Sequence, residues 1–138
     1  MINKRTLNRL SSQNLPLSEL GFGTAPLGNL YKSISDETAH KALEDAWNAG
    51  IRYYDTAPLY GLGLSETRLN RFLRTKPRED YVLSSKVGRL MTPSDAANRT
   101  GHGKWFDVPL RKESYNYNYE GIMRSVEFSY ERLVSIKL

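Results

Sequence analysis

"GIRYYDTAPLYGLGLSETRLNRFL", Gly50 to Leu73, decides how the rest of the chain is read. Ile51-Arg-Tyr-Tyr is rich in β-forming residues. Ser65-Glu66-Thr67 opens a segment in which Leu69, Phe72 and Leu73 fall at helical spacing. Between strand and helix lies a connection carrying Asp55 and Tyr60, with glycines at Gly61 and Gly63. A strand that ends on a carboxylate and hands a phenol to the loop beyond it puts chemistry at one end of the fold.

The neighbouring stretches repeat the alternation. Upstream, Ala39, Ala42, Leu43, Ala46 and Trp47 share one face of a helix over Ser35–Ala49, with Ser35 or Asp36 as its cap and Gly50 as its stop. Before it, Leu20-Gly-Phe-Gly-Thr reads as a strand leaving into a glycine turn, and Arg5–Leu20 as a hairpin about Ser11–Asn14. Downstream, Pro77 closes the second helix and Tyr81-Val-Leu-Ser-Ser is a further strand. Residues 87–119 read as a long loop rich in Gly, Pro, Asn and Ser. A third helix follows from Glu120 to about Leu133, carrying Ile122, Val126 and Leu133. Strands alternating with helices imply an α/β fold with a parallel sheet, and 138 residues imply one domain. Two architectures share that pattern, the open doubly wound sheet and the eight-stranded barrel.

Composition removes several functions. The chain has no cysteine, which excludes disulfides, thiolate catalysis and cysteine-bound zinc and fits a reducing compartment. No apolar run approaches the roughly 18 residues of a membrane span, and no apolar segment follows Met1–Arg9 to make a secretory signal. The expected location is cytoplasmic. Asn98-Arg99-Thr100 matches a glycosylation sequon that has no use without secretion. The net charge of +5 is spread among acids rather than clustered, so a solvated surface is expected instead of a nucleic-acid face.

Phosphate and metal motifs fail on inspection. Gly23-Thr-Ala-Pro-Leu-Gly28 starts like a P-loop, but Asn29 and Leu30 replace its Lys and Ser/Thr. Gly61-Leu-Gly63 starts like a dinucleotide fingerprint and lacks the third glycine. His40 and His102 stand far apart with no carboxylate at ligand spacing, so no metal site is expected.

A different chemistry remains. In a parallel barrel, residues at the C-terminal ends of strands converge on one face, which would bring Asp55, Tyr60 and Lys86 together. A phenol ordinarily ionises near a pH of about 10, and a nearby ammonium favours the phenolate, while a carboxylate holds that ammonium charged. Such a trio can give a proton to a carbonyl oxygen or take one from an alcohol. Taken singly, each has an ordinary use: a packing tyrosine, a turn aspartate, a solvated lysine.

The pattern as a whole resembles the aldo-keto reductases. Gly50-Ile-Arg-Tyr-Tyr-Asp55-Thr-Ala, Tyr60-Gly and Ser65-Glu66 resemble the family signature around its aspartate and tyrosine. Leu83-Ser-Ser-Lys86-Val-Gly resembles the segment carrying its lysine, and Gly21-Phe-Gly-Thr24 its first barrel strand. "FGTAPLGNLY", "TAPLYG", "SKVGRL" and "YEGIMRSVEFSYERL" are most similar to the branch of D-threo-aldose, L-fucose and pyridoxal 4-dehydrogenases. The resemblance implies the N-terminal portion, about three βα units, of a (β/α)8 TIM barrel and an NAD- or NADP-dependent oxidoreductase. Its substrate would be a small carbonyl compound, a sugar or a pyridoxal-like molecule. By position, Tyr60 would be the general acid/base, Lys86 the tuner of its acidity and Asp55 the partner of Lys86. Gly23, Thr24 and Asp55 would lie near the nicotinamide and its ribose.

A complete barrel takes about 250 residues. The family's histidine at the end of the fourth strand has no match in His40 or His102, and its main pyrophosphate contacts lie in the second half of the barrel. The resemblance therefore implies a truncated chain, without turnover alone and prone to self-association through an open barrel edge. The alternative is a non-catalytic product.

Overall fold

The structure, a computed structural model, describes residues 2–7, 15–94 and 104–134. Strand β1 (Lys4–Leu7) pairs antiparallel with β2 (Leu15–Ser18), Lys4 opposite Ser18 and Leu7 opposite Leu15. This is the expected hairpin; its turn at Ser11–Asn14 lies outside the described residues. There follow β3 (Gly21–Gly23), α1 (Asp36–Asn48), β4 (Tyr53–Asp55), α2 (Leu64–Leu73) and β5 (Val82–Ser84). Next come β6 (Arg89–Pro93), β7 (Arg111–Tyr115) and α3 (Tyr119–Val134). The helices begin and end within a residue or two of the boundaries read from capping and periodicity. Ser35 is the α1 cap, its hydroxyl accepting from the Thr38 N–H at 3.1 Å.

Strands β3, β4 and β5 form a parallel sheet in chain order, Gly23 opposite Asp55 and Asp55 opposite Ser84. Each strand is added at the same edge. A doubly wound sheet reverses direction at a switch point, whereas a barrel keeps adding strands one way. Side chains alternate across this sheet. Tyr54 is wholly buried on the helix side with Leu43, Leu69 and Phe72, and Phe22 and Leu83 pack against the same cluster. Tyr53, Asp55 and Ser84 take the other face. Full burial of aliphatic or aromatic side chains such as these stabilises by about 1.5–3 kcal/mol each.

Between β3 and α1, a 3-10 turn at Ala25–Gly28 is pinned by a buried arginine. Arg68 donates to the Leu27 and Ile34 carbonyls, to Asn29 Oδ1 at 2.7 Å and to Asp36 Oδ1 at 2.8 Å. A buried guanidinium is tolerated because its donors are satisfied. Asn29, at φ 62°, occupies the left-handed region where asparagine is among the few favoured residues.

Two expectations change. Residues 87–119 are not loop throughout: β6 and β7 pair antiparallel from Arg89 opposite Tyr115 to Pro93 opposite Arg111. Gly88, Pro93, Ser114, Asn116 and Asn118 lie in or beside the two strands themselves, so composition marked the whole segment as loop and hid them. On α3, the buried positions are Gly121, Ser125 and Ser129, while Val126 is exposed.

Candidate active site

The C-terminal ends of β4 and β5 carry the site. Lys86 Nζ donates to Asp55 Oδ2 at 2.7 Å and to the Thr56 carbonyl at 3.0 Å. The same ammonium lies 5.0 Å from the centre of the Tyr60 ring. Asp55, Tyr60 and Lys86 therefore meet. Partial burial pulls Lys86 towards lower pKa, but the bond to Asp55 and the Tyr60 side chain outweigh it, leaving the value above that of an ordinary lysine. For Asp55, partial burial acts upward and the bonds from Lys86 and Ser84 act downward; the net is a carboxyl below the usual aspartate range. The pair stays charged across the neutral range.

Glycines set the position of the phenol. Gly61, at φ +64°, follows Tyr60 and packs directly on Gly28. A Cβ on Gly28 would come within 2.5 Å of the Gly61 nitrogen and of the Tyr60 carbonyl carbon. The two glycine stretches that fail as phosphate motifs thus serve each other, letting the tyrosine loop rest on the 3-10 turn. Below it, Tyr60 packs on the cluster of Leu62, Met91, Trp105 and Val108, its ring 6.1 Å from that of Trp105.

The lysine segment is held on both sides. Ser85 Oγ donates to Glu66 Oε1 at 3.0 Å, and the other oxygen of this buried glutamate is paired with Arg132 of α3. The Gly88 N–H donates to Ser125 Oγ at 2.9 Å. Lys86 is thus bracketed by residues tied to α2 and α3. A cavity of about 310 Å³ opens beside it, lined by Ala57, Pro58, Leu59, Tyr60, Lys86, Val87, Arg89 and Tyr117.

The remaining candidates have different surroundings. Gly23 lies at the exposed end of β3, opposite Asp55, and a Cβ there would meet nothing within 4 Å. Thr24 is fully buried: its hydroxyl donates to the Asp55 carbonyl at 2.9 Å and accepts from Ser65, which also bonds the Thr56 hydroxyl. His40, on α1, lies edge-on to Phe72, 5.5 Å between ring centres, away from this site. His102 lies outside the described residues. No group of three or more metal-ligating side chains occurs among the described residues.

The profile of the Aldo/keto reductase family matches residues 19–135. The chain belongs to that family. It is 48% identical over 127 residues to the D-threo-aldose 1-dehydrogenase of a Pseudomonas species, covering 89% of this chain and 38% of the relative. It is 43% identical over 139 residues to the pyridoxal 4-dehydrogenase of Microbacterium luteolum, covering 94% and 39%. A holo-form aldo-keto reductase from Bacillus halodurans superposes with a TM-score of 0.68 at 28% identity, over 97% of this chain and 37% of that one. The chain thus spans under two-fifths of the length of these relatives. Its parallel strands and helices are the N-terminal βα units of the aldo/keto reductase barrel.

Sequence reasoning missed several residues of this candidate site. Glu66 entered only as part of the signature pair Ser65-Glu66, and Ser84 and Arg132 carried no role, since nothing in a linear pattern says which serine faces a carboxylate. Tyr117 and Arg89 reach the cavity from a segment read as loop. The Gly28–Gly61 contact had a visible signal, two isolated glycines in conspicuous turns, but its meaning depends on packing 33 residues apart.

Proposed function

We propose that this chain supplies the proton-transfer half of an NAD- or NADP-dependent oxidoreductase acting on a small aldehyde, ketone or sugar hemiacetal, or on a pyridoxal-like ring. The observation that carries the reading is the Lys86 ammonium, bonded to Asp55 at 2.7 Å, lying over Tyr60 beside a cavity of about 310 Å³. A bound nicotinamide would exchange hydride with the substrate carbon. Tyr60 would donate its hydroxyl proton to the carbonyl oxygen in reduction, or accept it from the alcohol in oxidation. Lys86 would stabilise the phenolate left behind, and Asp55 would keep Lys86 in place.

The residues present fit the nicotinamide end of the cofactor. A Cβ on Gly23, which pairs with Asp55 in the sheet, would meet nothing within 4 Å, and the nicotinamide and its ribose would lie over this open end of β3. Thr24 would form part of the floor, because its hydroxyl is engaged below the surface. The rest of the nucleotide would need groups supplied by the length that the relatives have beyond this match.

The test joins this chain to the corresponding C-terminal length of the D-threo-aldose relative and follows nicotinamide absorbance with an aldose or pyridoxal. Tyr60→Phe should lower kcat by about 10² or more with cofactor affinity nearly unchanged, since acid/base help is worth roughly 10²–10⁴. The 138-residue chain by itself should show no turnover. Equal rates with and without the Tyr60→Phe substitution would remove the tyrosine from the mechanism.

A further inference from the structure

We propose that Ser84 is a positioning residue for the Asp55–Lys86 pair, the middle rung of a one-way hydrogen-bond chain that begins at Tyr53. The inference rests on the proposed role of that pair. Ser84 Oγ donates to Asp55 Oδ1 at 2.7 Å and lies 3.1 Å from the Tyr53 hydroxyl. A serine hydroxyl has one proton. With that proton given to Asp55, the Tyr53 hydroxyl must be the donor to Ser84. The order is then Tyr53 to Ser84 to Asp55, each bond polarising the next.

This chain divides the labour of the carboxylate. Asp55 Oδ1 takes Ser84, and Oδ2 takes Lys86. The terminal torsion of an aspartate is broad and roughly two-fold, so nothing inside the side chain selects that orientation. The lysine depends on the selection. An ammonium has three donors; one goes to Asp55 Oδ2 and one to the Thr56 carbonyl, leaving the third for the phenol it overlies. A carboxylate free to turn both oxygens to Lys86 would take that third donor. The parallel register makes the arrangement available, since Ser84 stands opposite Asp55 and Val82 opposite Tyr53. An apolar residue at position 84 would strip Oδ1 of its donor and leave the Tyr53 hydroxyl without its acceptor.

The test uses the 138-residue chain with carboxyl-¹³C aspartate, following the Asp55 signal by NMR through its titration and assigning it with Asp55→Asn. The ionisable groups facing Asp55 are Lys86, Tyr60 and, through Ser84, Tyr53. Ser84→Ala should raise the Asp55 midpoint by about 0.5–1 pH unit, because a hydrogen bond to a carboxylate favours its charged form. Tyr53→Phe should raise it by a smaller step in the same direction, and Ser84→Thr should leave it near the wild-type value. A space-filling serine would not move this midpoint. Overturning results are an unshifted midpoint in Ser84→Ala, or a Ser84→Thr shift equal to that of alanine. Should Ser84→Ala lose its folded spectrum, Tyr53→Phe decides alone, and no rise there overturns the proposal. The measurement needs neither cofactor nor turnover, so it fails or succeeds separately from the functional reading.

Discussion

Helices α1 and α3 belong to one chain and both carry a clear apolar stripe, yet they use it in opposite ways. α1 turns Ala39, Leu43 and Ala46 inward, and Ala39 and Leu43 join the core with Tyr54 of the sheet and with α2. α3 turns Gly121, Ser125 and Ser129 inward and leaves Met123, Val126, Tyr130 and Val134 exposed. Of its inward serines, Ser125 holds the Gly88 turn beyond Lys86. The difference lies in the neighbours. α1 packs into one cluster with Tyr54 of β4, a strand paired on both sides. α3 packs on α2 and β6, and β5 is the last strand of its sheet among the described residues. An apolar stripe reports that a face is built to be covered. It does not report by what.

The comparison can be broken most directly by truncating one side chain on each helix. Leu43→Ala in α1 should cost about 2–5 kcal/mol, the usual range for a buried leucine. Val126→Ala in α3 should cost no more than about 0.5 kcal/mol, as for an exposed position. Denaturant titration of both variants decides it; equal losses would mean that α3's outer face is covered in solution.

High pH probes the closed region through Tyr54. Burial under α1 and α2 pushes the Tyr54 phenol up to about 12, against a weak opposite pull from Arg52, whereas in the unfolded chain it ionises at about 10. Between those values the unfolded state loses a proton that the folded state keeps. Stability from this group is therefore intact below pH of about 10 and lost as pH rises towards 12, by up to about 3 kcal/mol. Tyr54→Phe should flatten that fall. An unchanged alkaline transition in the variant would show that Tyr54 ionises as freely as an exposed phenol.

The smallest effect on stability belongs to the open face. Val126→Glu combined with Tyr130→Glu should change the unfolding free energy by no more than about 0.5 kcal/mol. Binding of ANS and concentration-dependent association, both expected of uncovered apolar surface, should fall clearly. Size-exclusion chromatography and dye fluorescence read the two together; a wild-type chain that is monomeric and binds no dye would refute the open-face reading.

Much of the closed region was legible beforehand. Ala39, Leu43 and Ala46 fall on one helical face by periodicity alone, and Ser35 and Gly50 bound that helix because capping and chain reversal are local chemistry. Asp55, Tyr60 and Lys86 were legible as strand-end residues that a parallel sheet would gather, and the geometry brings them together. The β6–β7 ribbon was not. Its pairing joins residues widely separated along the chain, and neither RLMTP nor RKESY alternates apolar with polar.

By itself, then, the sequence determined the alternation of strands and helices, the family, and which side chains stand at or just beyond the C-terminal ends of the strands. These depend on interactions within a few residues, or on a motif that is itself linear. The tertiary structure alone decided that Gly28 and Gly61 touch, that Asn29 and Arg68 lock the turn beneath the tyrosine loop, and that Ser84 reaches the Asp55 carboxylate. It also decided which side of α3 is covered. Each of these is a contact across the sheet or between layers. Its energy depends on register and burial, quantities that arise only once distant segments have packed.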